Sequence, residues 1–493
     1  MKRSSGVLMH LSSLPSDYGI GTLGRSAFDF VDFLVKSKMK LWQMLPVCPI
    51  DKYGSPYQSY STFAGNFLFI DLEELIQKGL LVKADLDELD WGNDASKLNF
   101  DLVVKGKIAV LKKAFHKWLE CNQDSKLWEF AKENNWVLNY AVFMVLLQKF
   151  KGECWWNWPR EFKYRDRASM EQFQDEFSNE ILFIIFEQFI FFEQWFKLKN
   201  YANEHGVSLV GDLAFYVAGN SADVWADPKN FCLDENLKAK KVAGCPPDAF
   251  AVDGQLWGNP VYDWSHMAEN GYSWWIKRLK SCCDMFDIVR IDHFRGFESF
   301  YAIDASHTTA REGNWVKGPG IDFFNAVEKK LGKLNLIAED LGFLTSETRE
   351  LLKKTGFPGM KILQFAFDPR EKSNFLPHTY EANSVCYTGT HDNNTVVGWF
   401  KEIDEEFRVY CKEYLNFVND EEVHWVLIRT VMASVCNLAI IPVQDFLGLD
   451  ESCRMNIPGT WNDNWSWRLT NNQFAKLLNL ASKISKLVNL YCR

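Results

Sequence analysis

The stretch FDIVRIDHFRGFE, residues 286–298, decides how this chain is interpreted. Its first half is apolar and β-branched, as buried parallel strands are. Its second half turns abruptly polar at Arg290, Asp292, His293 and Arg295. Alternate side chains of a strand share a face, so Arg290 and Asp292 are predicted to point the same way. This pattern fits a buried structural ion pair and a site built on a strand end about equally well.

Size and charge narrow the class of protein. The chain has 493 residues and a net charge of −9, with no long basic run, which argues against a nucleic-acid binder. Its length predicts a large core, and barrels often run long as single units. Aromatic residues make up 15% of the chain, which fits either a large core or sugar-stacking surfaces.

Cysteine usage and hydropathy indicate a cytoplasmic protein. The twelve cysteines are scattered without a C-x-x-C pair, so buried free thiols are expected and no metal site is predicted. The apolar run at 7–9 is short and broken by His10, which is atypical of a signal peptide. The run 181–196 contains Glu187 and Glu193 and is too short to span a bilayer, so it is predicted to be a buried helix.

Eight short apolar segments end in polar or glycine-rich residues, with helical patterns between most of them. Strand–helix alternation repeated eight times predicts an α/β fold, a (β/α)8 TIM barrel whose active site lies at the carboxyl ends of the strands. An open α/β sheet is the alternative, because periodicity does not show closure. The segments are 7–13, 41–47, 207–217, 287–294, 334–342, 360–368, 384–394 and 438–446.

Two connections are too long for simple crossovers. We interpret residues 1–493 as one catalytic barrel domain that carries two insertions. The first, at 71–180 after the second strand, is predicted to be a mainly helical subdomain. The second, at 218–264 after the third strand, is rich in Gly, Pro, Asn and Asp and is predicted to be an active-site loop subdomain. Residues 470–492 are predicted to form one amphipathic helix that closes the barrel.

Three of the predicted strand ends carry carboxylates, namely Asp292, Glu339 beside Asp340, and Asp392. On a barrel these strands would bring the side chains around one pocket. Retaining glycosyl transfer needs one ionised and one protonated carboxyl roughly 5–5.5 Å apart. Clustered carboxylates cannot all ionise cheaply, so one acid is expected to keep its proton, while Arg290 is expected to hold Asp292 ionised.

The motifs RIDHFRGFE, IAEDLG and TGTHDNN resemble the strand-end motifs of the α-amylase clan, in the form carried by the 4-α-glucanotransferases (amylomaltases or disproportionating enzymes). The resemblance covers nearly the whole chain, and its motifs are far more specific together and in order than any one alone. The further matching segments lie at 12–24, 55–66, 211–228, 254–264, 315–320, 356–368, 444–449 and 455–468.

The resemblance implies a transferase acting on maltooligosaccharides and larger α-glucans. It implies Asp292 as the nucleophile, Glu339 as the general acid/base, and Asp392 as the group that holds sugar hydroxyls in the transition state. Chemistry of this kind needs no cofactor and no metal.

The resemblance also implies a set of substrate-binding residues. Arg290 and His391 are implied as partners of the sugar and nucleophile, and Asp212 matches the family's first strand-end motif, with buttressing of the loop as its alternative role. His293 is implied to reach the sugar or to support the site from behind. The remaining implied contacts are Tyr57, Gln58, Ser59, Trp257, Asn259, Phe365, and the backbone at Gly318, Pro319 and Gly320, for which a plain tight turn is the alternative.

The chain departs from the family pattern at three places, none of them in the implied triad. Ala249 stands where the family usually has an aromatic lid residue. This departure puts the binding of the acceptor and the ratio of transfer to hydrolysis in question. Asn394 replaces the usual Asp, and Gly219-Asn220 replaces an aromatic–acidic pair. The alternatives are an α-1,4-glucan hydrolase using the same triad and a catalytically silent glucan-binding barrel, against which the intact carboxylates argue.

Overall fold

A computed structural model describes residues 1–51, 54–121, 124–247, 252–342, 344–460 and 463–493. Within these ranges it contains twelve strands, which are β1 Ser4–Leu8, β2 Leu41–Gln43, β3 Ser208–Leu213, β4 Lys241–Cys245, β5 Gln255–Pro260, β6 Ile288–Ile291, β7 Ser299–Asp304, β8 Asn314–Lys317, β9 Leu336–Ala338, β10 Gly359–Ile362, β11 Ser384–Tyr387 and β12 Leu438–Pro442.

The helices lie mainly between the strands. They are α1 Arg25–Lys36, α2 Leu72–Gln77, α3 Ala84–Asp87, α4 Phe100–Glu120, α5 Asp124–Glu133, α6 Trp136–Lys149, α7 Arg160–Lys163, α8 Arg167–Glu176, α9 Ser178–Glu204, α10 Ala222–Ala226, α11 Trp264–Glu269, α12 Ser273–Met285, α13 Gly320–Leu331, α14 Ser346–Thr355, α15 Val396–Glu402, α16 Glu405–Leu415, α17 Val423–Ala433, α18 Val443–Leu447, α19 Asn471–Asn479 and α20 Ala481–Leu490. None of the helices in the described ranges is both long enough and apolar enough to cross a membrane.

Eight strands form one parallel sheet in the order β10-β11-β12-β1-β2-β3-β6-β9. The two end strands approach each other, since the Ala338 amide donates to the Pro358 carbonyl at 3.0 Å. Asp340 strengthens this seam, because its Oδ1 accepts the Met360 amide at 2.6 Å. The sheet therefore closes, and the prediction of a TIM barrel is confirmed over that of an open sheet.

Six of the eight predicted strand segments contain a whole barrel strand, and the segments 7–13 and 360–368 overlap β1 and β10, which begin earlier than predicted. The predicted buried helix at 181–196 lies within α9. The prediction of one helix over 470–492 is wrong. The Leu480 amide donates to the Leu477 carbonyl at 3.0 Å, an i→i−3 bond that tightens and ends α19, and α20 begins at the next residue. It is α20 that packs against α1 on the outside of the barrel.

The long connections carry structure that periodicity alone did not show. The described part of 71–180 holds α2–α8 and the start of α9. The connection at 218–264 contains β4 and β5, which join β7 and β8 in a four-stranded antiparallel sheet of order β5-β4-β7-β8. This second sheet is shared between the connections that follow β3 and β6. Whether either insertion is a subdomain of its own stays a prediction.

The helical connection also holds the loop at 55–66. On α9, the Gln188 side chain exchanges two hydrogen bonds with the backbone of Gly65, at 2.8 and 3.0 Å. Buried Asp223 on α10 accepts the Thr62 amide at 2.8 Å. These bonds fix a loop that reaches over the carboxyl end of the barrel.

Most tryptophans lie in the core. Five of the largest fully buried side chains are Trp42, Trp155, Trp195, Trp225 and Trp275.

Candidate active site

The parallel register sets the first part of the site. Asp212 on β3 lies directly across from Arg290 on β6, so both side chains enter the barrel at one level. Arg290 Nη1 donates to the two oxygens of Asp212 at 2.7 and 2.8 Å, and to Asp292 Oδ1 at 3.1 Å. Arg290 and Asp292 therefore share a face, as strand alternation predicts. The side chains of Asp212 and Arg290 are almost completely buried.

Glu339 is brought to Asp292 by the neighbouring strand. Ile291 pairs with Ala338 in register, so the next residues along the two strands are Asp292 and Glu339. The Glu339 carboxylate accepts the backbone amides of His293 at 2.7 Å and Leu341 at 2.9 Å. His293 has a left-handed backbone with φ of 48°, which turns its amide toward Glu339. Two backbone donors therefore fix the orientation of this carboxylate.

Asp392 follows β11 and is held by loops. Its Oδ1 accepts from the Asn456 amide at 2.6 Å, and its Oδ2 lies 3.3 Å from His391 Nε2. Arg454 donates to the Asp392 carbonyl at 2.7 Å. Below it, buried Asp445 accepts from Thr388 at 2.5 Å and from the Val396 amide at 2.8 Å, which pins both ends of this loop. The Asp392 side chain remains 44% exposed, so it is open to a ligand.

Tyr57 joins the two parts of the site. Its hydroxyl donates to Asp212 Oδ2 at 2.7 Å and lies 2.9 Å from His391 Nε2. Because the hydroxyl proton goes to Asp212, the Tyr57 oxygen accepts from His391, which places the imidazole proton on Nε2. The Tyr57 ring also stacks on the His391 ring at 5.4 Å. One continuous network thus runs from Asp292 to Asn456.

The carboxyls of Asp292 and Glu339 both have shifted pKa values. Burial raises the pKa of both above the ordinary range, and Arg290 opposes the rise in each. The other nearby carboxylates push the pKa of Asp292 further up. Arg290 and burial thus act on the pKa of Asp292 in opposite directions, and the expectation that Arg290 holds Asp292 ionised stays a prediction. Crowded carboxyls favour a state in which one of them keeps its proton.

Burial also sets the state of the surrounding groups. It lowers the pKa of His391, so this imidazole is neutral. It raises the pKa of Tyr57 well above the ordinary tyrosine value, so the phenol keeps its proton. Among the described residues, no group of three or more His, Cys, Asp or Glu side chains is arranged to hold a metal ion.

Several of the predicted binding residues line the same region. The side-chain amides of Gln58 and Asn259 face each other, with N···O distances of 3.3 and 3.4 Å. The Trp257 ring meets the His293 ring edge to face at 5.1 Å. Phe365, at the end of β10, is 43% exposed and packs edge-on against Phe375. Trp257 therefore lies beside the Glu339 carboxylate through His293, and sugar contacts at all four residues stay predictions.

Other predicted residues are occupied by the protein itself. The buried Ser59 hydroxyl donates to the Ser61 carbonyl at 2.8 Å. A Cβ on Gly318 would come within 2.4 Å of the Phe297 carbonyl oxygen, so close packing of two backbones already explains this glycine. Pro319 precedes α13, which begins at Gly320. A sugar contact at these positions stays a prediction.

The departures from the family pattern fall on packing contacts or outside the described residues. Gly219 and Asn220 accept hydrogen bonds from the Trp155 indole and backbone amide, at 2.8 and 3.1 Å. Asn394 lies under the Asp392 loop, where its carbonyl accepts from Gln364 at 2.8 Å. Ala249 lies outside the described residues.

The structure adds residues that sequence reasoning missed. Asn456 and Arg454 hold Asp392, and the Trp465 ring lies 5.9 Å from both Tyr57 and His391. Asn456 and Trp465 belong to the segment 455–468, which already matched the family as a motif. That match was the available signal, but no residue within it was assigned a contact.

Comparisons with known proteins agree with this geometry. The family model described as 4-alpha-glucanotransferase matches residues 9–473. A 4-alpha-glucanotransferase of Streptococcus pneumoniae is 49% identical over 475 residues, covering 96% of this chain and 94% of its own length. One from Clostridium butyricum is 45% identical over 487 residues, covering 98% of this chain and all of its own.

A solved structure shares the whole architecture. The amylomaltase from Streptococcus agalactiae, determined in complex with acarbose, has a TM-score of 0.97 and 37% identity, with full coverage of both chains. The family match begins directly after β1 and spans the other seven barrel strands, both long connections and every carboxylate of the site. The chain therefore belongs to the 4-α-glucanotransferase family and is a glycosyltransferase that acts on α-1,4-glucans.

Proposed function

We propose that this protein moves α-1,4-glucan segments between maltooligosaccharides by a retaining double displacement. Asp292 attacks the anomeric carbon of the donor, and the bond to the leaving 4-oxygen breaks as Glu339 protonates that oxygen. A covalent glucosyl ester on Asp292 results. In the second step Glu339, now ionised, takes the proton from the 4-hydroxyl of the acceptor, which attacks the same carbon and releases Asp292.

The observation that carries this proposal is the register of β6 and β9. It sets Asp292 and Glu339 side by side, and their environments differ in a way that suits two roles. Asp292 faces the Arg290 guanidinium, whose charge favours a carboxylate ready to attack. Glu339 is held by two backbone amides, which would keep its carboxyl group in one orientation during proton transfer. One proton shared by the pair is the proton that the leaving group needs.

The remaining polar groups have places in the same scheme. Asp392, aimed by Asn456 and His391, would hold the hydroxyls of the reacting sugar as its ring flattens. Gln58, Asn259, Trp257 and Phe365 would bind the acceptor, and His293 would approach the sugar from below. The acceptor must displace water in the second step, which a closed acceptor side favours. Cytoplasmic action on maltooligosaccharides and larger α-glucans is part of this proposal.

Incubation with maltotriose tests the reaction. Transfer predicts glucose and a ladder of longer chains, while the total number of reducing ends stays constant. A steady rise in reducing ends without longer products would assign the chain as an α-1,4-glucan hydrolase instead. Binding of maltotriose without any product would indicate a silent glucan-binding barrel. Product analysis by chromatography with a parallel reducing-end assay separates the three outcomes.

The acid role of Glu339 has its own test. Glu339→Gln is expected to slow natural glucans far more than donors with an activated leaving group, since only the former need protonation. Equal losses on both donors would contradict the role.

A further inference from the structure

A small cavity lies beneath His391, at the carboxyl ends of β1, β2, β11 and β12. Its volume is about 20 Å³, and all the residues that line it are buried. Four of them carry polar side chains that the proposed chemistry does not fully use: His10, Thr390, His391 and Gln444. A polar space of this size holds one water when two to four polar partners are available.

His10 is the unexplained member of this wall. It follows β1 directly and is 6% exposed, with its ring edge-on to Phe69 at 5.6 Å. Its Nδ1 is buried and has no hydrogen-bond partner among the described residues. Burial, with a further contribution from His391, lowers the pKa of His10 to about 3, so the ring is neutral. A buried imidazole nitrogen without a partner is unfavourable, so packing alone does not explain a histidine at this position.

Within the described residues, the contacts of the His391 ring nitrogens are made at Nε2 and none at Nδ1. Its Nε2–H is already shared between Tyr57 and Asp392. A ring held by one nitrogen alone can rotate about that contact or exchange tautomers, so Nδ1 is the atom that would fix it. In the Nε2–H tautomer, Nδ1 is an acceptor and requires a donor.

We propose that His10 is a positioning residue for His391, acting through one water bound in the cavity between the two rings. The water donates to His391 Nδ1 and makes its second hydrogen bond to the His10 ring, with Thr390 and Gln444 within the same wall. This bridge would hold the Nε2–H tautomer that faces Asp392. The catalytic consequence rests on the proposed function, whereas the bridge itself does not.

Two substitutions separate this role from simple packing. His10→Phe keeps an aromatic ring of similar size and removes both nitrogens, whereas His10→Gln keeps a hydrogen-bonding group. We expect His10→Phe to lower kcat on maltotriose roughly 10- to 100-fold with KM within about threefold, as when partners that orient metal-binding histidines are removed. His10→Gln should stay within about threefold of the wild type. Equal losses in the two variants, or none in His10→Phe, would overturn the proposal.

Nitrogen-15 NMR of the histidine-labelled full chain tests the bridge without any turnover. The chain has nine histidines, so the His391 signals can be assigned by their loss in His391→Gln. The wild type should show the Nε2–H tautomer alone, and His10→Phe a mixture. An unchanged tautomer in a folded His10→Phe variant would overturn the proposal even if the chain proved to be a hydrolase.

His424 provides a matched control. It is a second histidine whose buried Nδ1 has no partner in the described part of the chain, but it lies on α17 beside Gly448. His424→Phe should leave both kcat and the His391 signals unchanged. A crystal structure of the wild type closes the test, because a cavity without a water within hydrogen-bonding distance of both rings would also contradict the bridge.

Discussion

The two halves of the site are positioned by different means. Asp212, Arg290, Asp292 and Glu339, here called the strand cluster, lie at fixed register positions on three neighbouring strands. Tyr57, His391, Asp392 and Asn456, here called the loop cluster, come from loops that follow three other strands. The strand cluster is positioned by backbone pairing, and Arg290 adds hydrogen bonds to Asp212 and Asp292. The loop cluster depends on hydrogen bonds between side chains, which single substitutions can remove.

The largest expected effect is on chemistry at the strand cluster. Asp292→Asn removes the nucleophile without changing the shape of the side chain. We expect kcat/KM on maltotriose to fall on the order of 10⁴-fold or more, with the fold retained, because the carboxylate is needed only for bond making. Initial rates and far-UV circular dichroism measure the two quantities.

Asp340→Asn is the matched control for that prediction. Asp340 is also a strand-end carboxylate, but it serves the barrel seam at Met360 rather than the pocket. Its amide variant can still accept that hydrogen bond, so activity should stay within about tenfold of the wild type. Substantial activity in Asp292→Asn, or an equal loss in Asp340→Asn, would contradict the assignment of roles.

The next effect compares the stability of the two clusters. Arg290→Met leaves the buried Asp212 carboxylate without its cation and should lower the free energy of unfolding by about 3–5 kcal/mol. Asn456→Ala removes one hydrogen bond from the partly exposed Asp392 and should cost about 1 kcal/mol. Urea denaturation measures both. A larger loss in Asn456→Ala than in Arg290→Met would show that the loops, not the strands, hold the site together.

The same difference explains how much of the site was predictable from sequence. Arg290, Asp292 and Glu339 follow from alternation and from the meeting of parallel strand ends at one edge, so apolar segments locate them. Asn456 lies 64 residues after Asp392 along the chain and reaches it through loop geometry that has no period. The strand pattern of the barrel was predictable for the same reason, whereas β4 and β5 in the second sheet were not. β4 pairs with β7, which belongs to a different connection.

Ser59 and Gly318 are predicted sugar contacts that also have contacts within the protein. The family resemblance implied that both contact the sugar, yet each makes a contact within the protein that accounts for its residue type. A family resemblance identifies positions that matter, but only the structure shows which contact each residue makes.

A smaller effect is expected where the two clusters meet. Tyr57→Phe removes the hydroxyl shared by Asp212 and His391, so each loses a partner. We expect kcat to fall roughly 10- to 100-fold, since the buried Asp212 and His391 side chains are then each left with an unmet hydrogen bond. Ser59→Ala, in the same loop, removes a hydroxyl that faces only Ser61 and should change kcat less than about threefold. Steady-state kinetics that gave equal losses in the two variants would argue against Tyr57 as the junction.

The smallest effect is a pH dependence of stability. Burial raises the folded-state pKa of Asp292 above the value near 4 of an unfolded aspartate. At pH values between the unfolded-state pKa and the folded-state pKa of Asp292, the folded state binds more protons than the unfolded state. The free energy of unfolding therefore falls as pH rises through this range. Asp292→Asn cannot ionise and lacks this contribution. Its stability relative to the wild type should therefore grow from pH 5 to pH 8.

Asp368→Asn is the control for this test, because the pKa of Asp368 in the wild type is shifted in the opposite direction. The hydrogen bond from Arg370 lowers the pKa of Asp368 to about 2, so its contribution is fully present above pH 4 and is lost only as pH falls below that value. Between pH 5 and pH 8 the difference between Asp368→Asn and the wild type should stay constant. Urea midpoints measured at pH 5, 6, 7 and 8 compare the three proteins. A constant difference for Asp292→Asn as well would mean that Arg290 alone keeps Asp292 ionised, and that the strand cluster carries no shared proton.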